Sequence, residues 1–297
     1  MAATVRLHGG STPIPDRAAP GPDVVVIALW CQHGGVPDEL HVNRFGPPGP
    51  AQILMIHGLT GHGRRWHTLA EQHLAEFTVL APDLIGHGRS SWSAPWTLDA
   101  NVAALASLIE AEASHPVVVV GHSFGGATAL HLAAACPDLV AGLVLLDPAI
   151  GLPGTRMLAV AEATLASPDY PDAEEARAEK VNAAWADVPA AEVNDELAEH
   201  LIALPNGRYG WRICVPAMMS YWSELARDIV LPHKGTPTTL IRGAMSDPPY
   251  VGDKLIDGLA ERLGTDFTML DFECRHMVPL AKPVETAAAI RDMLARG

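Results

Sequence analysis

Apolar residues along the chain fall into two textures. Ile53–Ile56, Phe77–Ala81, Val117–Val120 and Leu143–Leu146 are short runs, apolar at successive positions, and the first three stop at His57-Gly58, Pro82-Asp83 and Gly121. Such runs predict strands covered on both faces, as in a parallel sheet. Between them Leu98, Val102, Leu105 and Ile109 recur at helical spacing and make one apolar stripe. Further on, the pattern predicts strand Thr238–Arg242, helix Asp253–Leu263, strand Phe267–Asp271 and helix Pro283–Ala295. The first fifty residues hold eight prolines and seven glycines, so they read as loops with short strands at Val24–Cys31 and Leu40–Phe45.

Strand and helix alternate, which predicts an α/β fold built on a doubly wound, mostly parallel sheet. The alternation lapses between Gly151 and Lys234, where helix formers dominate, prolines punctuate and Tyr170, Trp185, Tyr209, Trp211, Tyr221 and Trp222 collect. This stretch is expected to be a helical cap inserted after the sixth strand. Residues 1–150 and 235–297 then form the core and residues 151–234 the cap, a division that suits 297 residues.

Composition narrows the function. A net charge of −14 repels a phosphate backbone, and no basic run offsets it; nucleic acid is not an expected partner. No apolar stretch reaches the roughly 18 residues of a membrane span, and the first residues lack a secretory apolar segment, so a cytoplasmic protein without a membrane partner is expected. Cys31, Cys136, Cys214 and Cys274 are scattered and read as reduced thiols. His57, His62, His67 and His73 lie close together without a zinc pattern, so neither metal nor cofactor is expected.

The sharpest chemical signal is Val117-Val118-Val119-Val120-Gly121-His122-Ser123-Phe124-Gly125-Gly126, a strand entering Gly-x-Ser-x-Gly and then an alanine-rich helix. Small residues on both sides permit a turn tight enough to hold Ser123 exposed at the strand end as a nucleophile. Ile56-His57-Gly58-Leu59 leads into a second glycine-rich turn, whose Leu59 N–H, with that of Phe124, would form a two-donor pocket for an oxyanion. A serine needs a base and the base an orienting acid. His276 follows the late strand Phe267–Asp271, and Asp247 follows Thr238–Arg242; Asp147, after Leu146, is the second candidate for the acid. Asp83 reads as a turn residue.

With Asp83-Leu84-Ile85-Gly86-His87-Gly88-Arg89-Ser90, Arg242-Gly243-Ala244-Met245-Ser246-Asp247 and Arg275-His276-Met277-Val278-Pro279 added, the chain resembles the α/β-hydrolase superfamily over residues 40–297, in particular its lidded serine esterases. The resemblance implies ester hydrolysis of a small-molecule substrate through an acyl-enzyme, with the insertion as lid. A carbon–carbon bond hydrolase or lactonase on the same triad, and a non-catalytic small-molecule receptor, are the alternatives. Met218, Met219, Trp222 and Trp185 are the cap residues expected to line the substrate pocket.

Overall fold

The structure, a computed structural model, describes residues 40–296. Its first half alternates β1 (Val42–Phe45), β2 (Ile53–Ile56), α1 (His67–His73), β3 (Val79–Pro82), α2 (Leu98–Glu112), β4 (Val117–His122), α3 (Phe124–Ala135) and β5 (Val140–Leu146). An insertion follows, with α4 (Gly154–Ala166), α5 (Ala173–Val181), α6 (Ala190–His200), β6 (Leu201–Ala203), β7 (Tyr209–Trp211) and α7 (Val215–Glu224). The chain closes with β8 (Thr238–Gly243), α8 (Asp253–Leu263), β9 (Phe267–Phe272), α9 (Val278–Ala281) and α10 (Pro283–Leu294).

Seven strands form one sheet in the order β1-β3-β2-β4-β5-β8-β9. Only the edge strand β1 is antiparallel to its neighbour. The period of two along each strand divides the core into two layers. Leu54, Ile56, Val117, Val119, Leu143 and Leu145 face one layer, packed with Leu98, Val102, Leu105 and Ile109 of α2. Ile53, Met55, Val118, Val120, Val144 and Leu146 face the other, against Leu69 of α1 and Ile290 and Met293 of α10. Burial on both faces is why these strands read as unbroken apolar runs. Thr97 starts α2 by accepting the Ala100 N–H on its side chain.

Strand order reverses between β2 and β4, since the chain steps from β2 outward to β3 and then crosses back to β4. In open sheets of this type ligands bind outside the carboxyl ends of the strands at that reversal. Leu59 follows β2 there and Ser123 follows β4.

Two expectations are revised, and a third falls on residues that are not described. The Val24–Cys31 strand lies outside the described residues, so the insertion follows the fifth described strand of the main sheet. The insertion is not purely helical: β6 and β7 pair as an antiparallel hairpin, closed around Asn206-Gly207 with Gly207 at φ +79. Asn-Gly is a strong hairpin signal, and it was legible in the sequence. Lastly, the acid that meets His276 is Asp147, as developed below. No helix among the described residues is long and apolar enough to cross a membrane.

Candidate active site

Ser123 stands at the junction of β4 and α3 with φ 55 and ψ −118, a left-handed conformation costing a non-glycine residue about 1–3 kcal/mol. Its surroundings enforce it. The Ser123 N–H donates to the Leu146 carbonyl, while its own carbonyl accepts from Gly126, Ala127 and Ala149. A side chain on Gly121 would collide with the Gly125 carbonyl, and one on Gly125 with the Ile56 carbonyl, so both glycines of the motif are sterically required.

The glycine-rich turn after β2 lies directly against the serine: a Cβ on Gly58 would come within 2.9 Å of Ser123 Cβ. His57 fixes this turn. Its Nδ1–H donates to the Gly58 carbonyl at 2.8 Å, and its Nε2 accepts from the Leu84 N–H at 2.9 Å. Burial, followed by the neighbouring His87, pushes the pKa of His57 well down, so it is a neutral clamp between two loops. The Leu59 and Phe124 amides have no backbone acceptor among the described residues, which leaves both available to an incoming oxyanion.

Asp147 follows β5 at φ 41 and is completely buried. Its N–H donates to the Ile241 carbonyl at 2.7 Å. Its carboxylate accepts three hydrogen bonds: from His276 Nδ1 at 2.6 Å, Ser246 Oγ at 3.0 Å and the Gly243 amide at 3.2 Å. Asp247 is exposed. The loop after β8 sends Ser246 to the acid, and the next residue faces solvent. An acid that orients a buried imidazole must itself be desolvated and hydrogen-bonded, and Asp147 meets that condition where Asp247 does not.

With Nδ1–H donating to Asp147, His276 keeps Nε2 as its basic nitrogen. The loop bearing it is fastened to the serine elbow by His122, whose Nε2–H donates to the His276 carbonyl at 2.8 Å. The two rings are 4.8 Å apart. Burial, then the proximity of His276, depresses the His122 pKa well below its ordinary value, so the residue preceding Ser123 stays a neutral donor. This role for His122 is not legible from the motif, which specifies only its two glycines and serine.

Asp83 accepts from the Gly63 and Arg89 amides and is the turn residue the sequence suggests. Of the cap residues expected near substrate, Met218 is fully buried in the core layer that includes Phe124 and Tyr221, and Met219 and Trp222 are half-buried against it. Trp185 lies in another cluster with Val188, Val193, Met277 and Leu280, its ring faced by Arg65 at 5.1 Å and Lys180 at 4.5 Å.

The insertion is tied to the carboxyl ends of the strands at several points. Gly88 N–H donates to Arg212 O, Cys214 N–H to Gly86 O, Tyr221 OH to Ile85 O and the Arg275 amide to Asp187. A polar cleft of about 280 Å³, lined by His62, Arg65, Glu192 and Glu196 among others, opens beside α6. Ser123, Asp147 and His276 do not line it, and Arg64 with Glu199, Arg65 with Glu196 and His67 with Asp195 pair across it, which marks a seam between insertion and core. No group of three or more His, Cys, Asp or Glu side chains able to hold a metal occurs among the described residues.

The family model described as alpha/beta hydrolase family matches residues 53–289. Lipase LipV of Mycobacterium tuberculosis (strain ATCC 25618 / H37Rv) is 64% identical over 256 residues, covering 86% of this chain and 98% of its own. Esterase Rv0045c of the same organism is 39% identical over 106 residues, about 35% of each chain. Among solved structures, E-2-(acetamidomethylene)succinate hydrolase matches with a TM-score of 0.71 at 24% identity, over 86% of this chain and 95% of its own. The M. tuberculosis esterase Rv0045c matches with a TM-score of 0.64 at 24% identity, over 92% and 97%. These two structural likenesses speak to the fold; with the family match and the extended identity to Lipase LipV, they establish that the chain belongs to the alpha/beta hydrolase family.

Proposed function

We propose that the chain is a serine hydrolase that cleaves a carboxylic ester of a small apolar substrate through an acyl-enzyme. The observation that carries this reading is the buried 2.6 Å contact between Asp147 and His276 Nδ1, made beside a serine held in a strained elbow. The naming of the 64% identical relative as a lipase supports the ester as the bond.

Ser123 Oγ attacks the acyl carbon while His276 Nε2 takes its proton. The tetrahedral oxygen is held by the Leu59 and Phe124 amides. Collapse expels the alcohol, which leaves with the proton from His276, and a water activated by the same nitrogen then releases the acid. Asp147 orients His276 and stabilises the imidazolium formed in each half.

A fluorophosphonate probe incubated with the protein should label Ser123, located by mass spectrometry of the digested adduct. Turnover of short p-nitrophenyl esters should disappear in step with labelling. An adduct on another serine, or esterase activity that survives in Ser123→Ala, rules the reading out.

A further inference from the structure

One contact to His276 comes from a residue outside the triad. Tyr250 stacks on the imidazole with ring centroids 3.8 Å apart and planes 21° from parallel. Tyr250 is half-buried and lies on the loop after β8. That loop is gripped from the insertion: Arg156, in the first turn of α4, donates to the Pro249 carbonyl at 2.8 Å and the Pro248 carbonyl at 3.4 Å. Its guanidinium also lies over the Tyr250 ring, 4.6 Å from the centroid.

The hydrogen bonds to His276 leave something for such a contact to do. The Asp147 bond to Nδ1 fixes one ring atom, and the His122 bond fixes the backbone carbonyl. An imidazole held at Cγ by its own side chain and at Nδ1 by this hydrogen bond still rocks about the line through those two atoms, and rocking displaces Nε2, which lies off that line. A flat aromatic surface against the ring plane removes this motion at small entropic cost, because the tyrosine is itself fastened. Displacement of a reacting atom by about 1 Å is enough to cost on the order of a hundredfold in rate.

We propose that Tyr250 is a positioning residue for the general base, and that Arg156 extends its hold into the insertion, so that α4 helps to set the geometry of proton transfer. The proposal rests on the reading of Ser123, His276 and Asp147 given above. It assigns the insertion a part in turnover as well as in the choice of ester.

The test compares Tyr250→Leu, Tyr250→Phe and Arg156→Met, with Ser123→Ala alongside, on one soluble p-nitrophenyl ester. Tyr250→Leu is expected to lower kcat roughly tenfold with KM within about twofold, since a displaced base impairs chemistry and not ground-state binding. Tyr250→Phe keeps the ring and should recover most of that loss. Arg156→Met should lower kcat in the same direction by less. Parental kcat in Tyr250→Leu, an effect confined to KM, or a loss in Tyr250→Phe as large as in Tyr250→Leu overturns the proposal; in each case a silent Ser123→Ala leaves the serine mechanism intact. Activity that survives in Ser123→Ala instead removes the mechanism on which the proposal stands.

Discussion

Asp147→Asn is expected to lower kcat by about 10³–10⁴, while Asp247→Asn stays within about twofold of the parent. The first substitution is nearly isosteric, so the effect is chemical. Asp147 accepts from three donors at once, His276 Nδ1, Ser246 Oγ and the Gly243 amide. An asparagine has one acceptor oxygen and a donor NH₂. If the oxygen stays with the Gly243 amide, the NH₂ replaces the carboxylate oxygen shared by Ser246 and His276 and faces a ring N–H, and His276 relieves the clash by moving its proton to Nε2. That tautomer has nothing with which to take the Ser123 proton. Asp247 is exposed and offers no comparable partner to disturb. Steady-state kinetics of the two variants on one ester decide the matter: an inactive Asp247→Asn beside an active Asp147→Asn would return the acid to the loop after β8.

The difficulty of choosing between these two aspartates from sequence has a physical root. Both follow a strand, and both stand between Ser123 and His276, so chain order is silent. What separates them is a sheet pairing: β5 lies beside β8, with Leu146 opposite Ile241, which sets Asp147 under the Gly243 amide and the Ser246 hydroxyl. The residue after Leu146 also carries φ 41, a strain invisible in a string of letters. The elbow was legible because Gly121 and Gly125 are demanded by backbone contacts over a few residues. The strands were legible because burial on both faces leaves a local trace. The contacts of Tyr250 with His276 and of His122 with the His276 carbonyl join segments far apart in sequence, and no periodicity announces them.

The same holds for the ion cluster that locks the insertion to the core, where a second large effect is expected. Glu196 of α6 is buried and accepts from Arg65 through both oxygens, at 2.5 and 3.0 Å, and from Lys180 at 3.3 Å, with His62 Nε2 at 3.0 Å. Burial by itself would raise the Glu196 pKa, but Arg65, Lys180 and His62 outweigh it and hold the carboxyl well below 4.5. Burial draws Lys180 down to about 8 even with Glu196 beside it. Glu196→Gln keeps the shape and removes the charge, leaving two buried cations without their counter-ion, a defect worth about 3–5 kcal/mol. Urea unfolding should register it. By contrast, neutralising Glu76, whose pair with Arg291 is exposed, should scarcely move the midpoint.

A carboxyl with a lowered folded pKa contributes stability that is complete above its unfolded value, near 4.5, and is lost as pH falls through the folded one. The parent should therefore lose stability in acid more steeply than Glu196→Gln, and the two curves should converge there. The effect also reaches the site, because Arg65 donates to the Thr60 carbonyl at 3.1 Å, in the turn whose Leu59 amide is assigned to the oxyanion. At a temperature where Glu196→Gln remains folded its kcat should still fall. Parental unfolding and parental kcat together would show that this cluster neither secures the insertion nor braces the turn.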